Sequence, residues 1–128
     1  MSAYLTDDRL TGFRTALDAA RASWSDDGAA ALATGSDYLP GEPVLVQVRK
    51  RGRRWDFGDA GRAVQLAGKP PGWLGVLERV VAEDGMNVNR AGVVFVPAVE
   101  RPGRDLAALA LRLGDVSRAV YAELIELE

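Results

Sequence analysis

With 128 residues the chain has room for one domain, and 48% hydrophobic with 27% charged residues is the composition of a folded globular protein. It contains no Cys and no His, which excludes disulfide scaffolds, thiol nucleophiles, Ser-His-Asp and Cys-His catalysis, and zinc sites built from those side chains. The net charge of −2 averages three blocks: residues 1–42 carry three Arg against seven acids, residues 105–128 two Arg against five, and residues 43–104 eleven bases against six acids.

In chain order, Thr6-Asp7-Asp8 offers short acceptors ahead of Leu10, Phe13, Leu17 and Ala20, which predicts a helix over about 7–23. Ser25-Asp26-Asp27 has the look of a second cap, opening a short Ala-rich helix that ends near Gly35, and Pro40, Gly41 and Pro43 mark a loop at 36–43. Val44-Leu-Val-Gln-Val-Arg-Lys and Arg53-Arg-Trp-Asp-Phe flank Arg51-Gly52 as a β-hairpin. A two-residue turn at 51 and 52 sets Val48 opposite Trp55, Val46 opposite Phe57 and Arg49 opposite Arg54. It gives one apolar face but asks Arg51 for a positive φ.

Asp59 is placed to cap a helix over about 60–67, closed by Gly68 and the Lys69-Pro70-Pro71-Gly72 corner. A helix follows over about 73–84, then a second hairpin of residues 86–89 and 92–98 that turns at Arg90-Ala91 and ends at Pro97. Leu106, Leu109, Leu113, Val116, Val120, Leu124 and Leu127 form one apolar stripe on a long C-terminal helix. That stripe needs a partner, either the chain's own sheet or the same helix of a second subunit. The fold class expected is α+β in a single domain: an antiparallel sheet from two β-hairpins with a helical pair between them, N-terminal helices and a long amphipathic C-terminal helix. No apolar run approaches the roughly 20 residues that span a bilayer, and the start of the chain lacks the basic opening and apolar core of an export signal. The expected address is the cytoplasm, without membrane association.

The densest chemical signal is Arg49, Lys50, Arg51, Arg53 and Arg54, five bases around one turn with Trp55 beside them. Such a cluster suits an anion or nucleic-acid phosphates, and equally a solvated turn that protects a sheet edge. Trp55 shares its face with Val46, Val48 and Phe57, so it reads as core. Asp56-Phe57-Gly58 matches a kinase triplet by accident, because the chain has no glycine-rich loop and no His-Arg-Asp. Gly58-Asp-Ala-Gly61 is discarded as an RNA clamp, since an acid stands where a phosphate would sit. Asp56, Asp59, Glu83 and Asp84 are the acids available to a metal-dependent hydrolase, and their spacing specifies no site. No cofactor or metal is expected. The order of elements over 60–97 matches a winged helix, but residues 73–84 hold one base, Arg79, against Glu78, Glu83 and Asp84.

From Arg54-Trp-Asp-Phe-Gly-Asp-Ala-Gly-Arg-Ala-Val-Gln-Leu-Ala-Gly through Val76-Leu-Glu-Arg-Val-Val to Gly85, the chain resembles a bacterial family, the domain of unknown function 1828 family, over about residues 42–98. Gly58 and Asp59 stand where that family often shows two acids. The resemblance implies a strand, an Asp and Gly-rich turn, two helices and a short hairpin, and no activity. The expected function is that of a non-enzymatic binding or regulatory module with an unknown protein partner or a homodimer through the C-terminal helix. The alternative is a nucleic-acid-binding protein that uses the basic turn at 49–54.

Overall fold

The computed structural model describes residues 2–127, with side chains described from Asp8 onward. The elements are α1 (Ser2–Ala22), β1 (Gly28–Leu39), β2 (Glu42–Arg51), β3 (Arg54–Gly58), α2 (Arg62–Ala67), α3 (Trp73–Ala82), β4 (Asn87–Val88), β5 (Val94–Val99) and α4 (Leu106–Leu127). The fold is α+β, with five antiparallel strands in the order β1-β2-β3-β5-β4. No helix among the described residues is long and apolar enough to cross a membrane.

The N-terminal region departs from expectation twice. Helix α1 already runs through Thr6 to Asp8, so those residues do not cap it. The Ala-rich segment expected as a second helix is strand β1, which extends through the expected loop to Leu39. Ala favours helices, but an isolated helix of under ten residues is marginal. As a strand the segment pairs with β2 from Gly28 opposite Lys50 to Leu39 opposite Glu42, and alternation turns Leu32, Thr34 and Tyr38 inward. The Thr34 hydroxyl donates to the Val44 carbonyl at 3.0 Å. Gly35, at φ 83°, lies where the pairing register shifts between Ala33 and Asp37.

The β2–β3 register also differs, by two residues. Val48 faces Phe57, Arg49 faces Asp56, Lys50 faces Trp55 and Arg51 faces Arg54. An even shift keeps every side chain on its face, so the apolar pattern alone does not choose between the registers. The turn decides it. Placed at 52 and 53, it gives the positive φ (58°) to Gly52 rather than to Arg51 and sets Asp56 instead of Arg54 opposite Arg49.

The second hairpin is not a free wing, because β5 pairs with β3 from Val99 opposite Arg54 to Phe95 opposite Gly58. Strand β5 continues past Pro97 because β4 covers only Val94 and Phe95. The Asp59 N–H bonds to the Val94 carbonyl and the Glu100 N–H to the Arg53 carbonyl. By alternation, the nitrogen of Pro97 faces the free edge, where a missing N–H breaks no ladder.

Helix α4 crosses the inner face of the sheet and buries the middle of its stripe there. Leu113, Val116, Val120 and Leu124 are buried with Ala107, Ala110 and Leu111. Its crossing is close at Gly114, where a Cβ would lie 2.6 Å from Thr34 Cγ2 and 3.1 Å from Val46 Cγ2. The middle of the stripe is therefore covered by the chain's own sheet and helices, while Leu106 and Leu109 are partly buried and Leu127 is exposed. Leu32, Val44, Val46, Val48, Trp55, Phe57, Val94 and Val96 form the sheet's half of the core, against Phe13 and Leu17 of α1, Leu77 and Val81 of α3, and α4.

Candidate functional site

Because the sheet turns its even-numbered β1 and β2 residues toward the helices, its odd-numbered ones form an outer face that no described element covers. The register orders that face in rows. Ala33 lies beside Leu45; Ala31, Gln47, Gly58 and Phe95 form the next row; then come Ala29, Arg49, Asp56 and Pro97, and last Arg51, Arg54 and Val99. Leu45, Phe95 and Val99 are 40%, 37% and 57% exposed. Small residues on β1 and Gly58 keep the surface shallow, and a hollow of about 360 Å³ opens beside Phe95 between Gln47, Arg49, Asp56 and Gly58. Arginines thus stand toward one end of the face, with Val99 among them, and the rows of Leu45 and Phe95 carry none.

The five bases expected as one cluster are split between two surroundings. Lys50 donates to the Asp26 carbonyl at 2.9 Å, with its ammonium 6.0 Å from the Trp55 ring centre. Arg53 donates to the Glu100 carbonyl at 2.9 Å. Arg49, Arg51 and Arg54 remain on the outer face, with Arg54 3.6 Å from Asp56 and 67% exposed at its side chain. Two arginines that sequence reasoning missed join them. Arg101 and Arg104, from the connection between β5 and α4, line a shallow hollow with Arg54 and Val99. They are about fifty residues away in sequence, and only the β3–β5 pairing brings them together.

Asp59 is corrected from helix cap to buried anchor. Ala60 and Gly61 are both left-handed, at φ 57° and 73°, which delays α2 to Arg62 and turns the Asp59 side chain inward. Its Oδ1 accepts the N–H groups of Gly61 at 2.8 Å and Val94 at 2.9 Å, and its Oδ2 accepts the Ser117 hydroxyl at 2.6 Å. Since Ser117 has one proton and spends it on Asp59, Tyr38 must donate its own to Ser117 Oγ across 2.7 Å. Burial pushes the Asp59 carboxyl above its ordinary range, against the pull of Ser117, Gly61 and Val94. Burial also raises the Tyr38 phenol to about 12. Asp59 is 2% exposed with both of its carboxylate oxygens engaged inside the fold. It ties the β3–α2 turn to β5, β1 and α4.

The other acids considered for a metal are held apart. Asp56 lies by Arg54, and Asp84 accepts Arg112 at 2.5 Å. Among the described residues, no three acids come together in a way that could hold an ion. Trp55 is core, 1% exposed, with its ring centre 6.0 Å from those of Trp24 and Phe57. Comparisons with protein-family models, curated proteins and solved structures find no match to this chain.

Proposed function

We propose that the protein is a non-enzymatic cytoplasmic binding module whose uncovered sheet face receives a segment of a partner polypeptide carrying apolar and acidic side chains. The observation behind this reading is the composition of that face. Leu45, Phe95 and Val99 are large apolar groups left exposed on one uncovered surface, spread over three of its rows, and a hollow of about 360 Å³ opens beside Phe95. Arg49, Arg51 and Arg54 border them, with Asp56 as the acid in their midst. The charge complement of this end is a carboxylate-bearing segment.

Nucleic acid is the less favoured occupant. Two of the five bases at the turn are engaged within the chain, and Phe95 is the one aromatic side chain in the rows of the outer face, whereas sheet surfaces that bind single strands stack successive bases on several aromatics.

Fluorescence anisotropy with labelled peptides of mixed Leu and Glu, and with a single-stranded oligonucleotide, tests the proposal. The peptide should bind the native chain and fail to bind a Leu45→Asp, Phe95→Asp double variant that retains the native circular dichroism spectrum. Peptide binding unaltered in that variant, or oligonucleotide binding stronger than that of any peptide, overturns it.

A further inference from the structure

The two lateral edges of the sheet are built differently. At one, β4 covers Val94 and Phe95, and Pro97 presents no N–H. At the other, β1 pairs with β2 alone. The bonds from the Asp59 N–H to the Val94 carbonyl and from the Glu100 N–H to the Arg53 carbonyl fix the alternation across the sheet. Odd-numbered residues of β3 bond to β5 and even-numbered ones to β2, so Val46, Val48 and Lys50 are left to bond to Leu32, Ala30 and Gly28 of β1. Ala29, Ala31 and Ala33 therefore turn their N–H and C=O groups to the open edge, and all three are exposed.

Sheet edges in proteins are blunted by Lys, by Pro or by a covering side chain. At and beyond the register shift β1 is treated in this way, since Arg9 donates to the Thr34 carbonyl at 3.0 Å and Arg118 to the Asp37 carbonyl at 2.9 Å. From Gly28 to Ser36, however, the sequence holds no charged residue and no Pro, and no hydrogen bond among the described residues reaches the edge-facing groups of Ala29, Ala31 and Ala33. Such a row is a template for another strand. Its side chains favour a second copy of the same strand. A two-fold axis at Ala31 sets that residue against itself, Ala29 against Ala33, and Ala30 against Leu32. The first two pairings carry only methyl groups on the outer face, and Ala30 and Leu32 both pack with the core on the inner one, so the seam is apolar on both sides. An acidic segment would meet no opposite charge along this stretch.

We propose that β1 is a self-association edge: two copies of the chain pair antiparallel through residues 29–33 about an axis at Ala31 and join their five-stranded sheets into one. The pairs 31 with 31, 29 with 33 and 33 with 29 exchange about six backbone hydrogen bonds. The helices of both copies then lie on one side and the two outer faces on the other, as one continuous surface. This association does not depend on what the outer face binds.

Sedimentation equilibrium of the full chain from micromolar to millimolar concentration tests it and should show a monomer–dimer equilibrium. Ala31→Lys and Ala31→Glu each set like charges against one another at the axis, on an exposed position. Each variant should keep the native circular dichroism spectrum and weaken dimerisation about fivefold, and an equimolar mixture of the two should restore it, because the charges then oppose. In the native chain, amide exchange followed by NMR should slow at Ala29, Ala31 and Ala33 as concentration rises. A chain that stays monomeric to millimolar concentration overturns the proposal. So do variants that dimerise like the native chain, which puts the contact on another surface, and a mixture that associates no better than either variant alone. Edge amides protected only when the Leu and Glu peptide is added overturn it as well, since they give the edge to the peptide.

Discussion

Three side chains far apart in sequence, Tyr38, Ser117 and Asp59, form a chain of hydrogen bonds with a fixed direction. Removing its middle member should be the most damaging single change there. Ser117→Ala leaves a buried carboxylate oxygen and a buried phenol without partners, and should lower the free energy of unfolding by about 2–3 kcal/mol in urea titration. Asp59→Asn should cost less than Asp59→Ala, because an amide oxygen can still accept Gly61 and Val94. The pH dependence has a definite sign. The folded-state pKa of Asp59 is raised above 3.8, so the penalty for burying its charge is fully present at neutral pH and is relieved as pH falls through that folded value. Native stability relative to Asp59→Asn should therefore rise on mild acidification, as measured by urea unfolding at stepped pH. At the alkaline end, the folded phenol of Tyr38 keeps its proton to about 12, whereas an ordinary one loses it at 10.0. Stability should fall as pH rises through that window, and Tyr38→Phe should flatten the fall.

The strands and helices are set by different amounts of local information. Gly114→Ala places a methyl carbon where Thr34 and Val46 already stand, and overpacking of this kind should destabilise by about 1–3 kcal/mol in thermal or urea unfolding. Nothing in the local sequence announces that contact, because it depends on where α4 crosses β1 and β2. The C-terminal helix itself was legible, since seven apolar positions repeat at helical spacing over six turns. Strand β1 was not: Ala29, Ala31 and Ala33 carry no β preference, and the segment becomes a strand because Leu32, Thr34 and Tyr38 fit the core beside β2. The hairpin was legible by face but not by register, which rests on a single positive φ at Gly52. Of the candidate site, Arg49, Arg51 and Arg54 were visible as a cluster. The release of Lys50 and Arg53 to other partners, and the arrival of Arg101 and Arg104, depend on long-range strand pairing.

The molecule places all its described helices against one side of a five-stranded sheet and leaves the other side uncovered. That asymmetry explains why apolar residues at Leu45, Phe95 and Val99 remain exposed while the core accounts for the stripe of α4. It also separates two roles. Asp59 and its partners hold the frame, and the outer face with its arginines offers the surface. Salt should weaken docking only modestly, since the apolar rows contribute alongside the arginines; a steep loss of affinity with rising salt is the mark of a phosphate backbone. The most direct measurement is backbone chemical-shift mapping of the isotope-labelled protein with the Leu and Glu peptide. The account predicts shifts at Leu45, Gln47, Phe95, Val99 and Arg54, with Leu77 and Val81 of α3 unmoved; shifts confined to α3 and α4, with the outer face of the sheet silent, would contradict it.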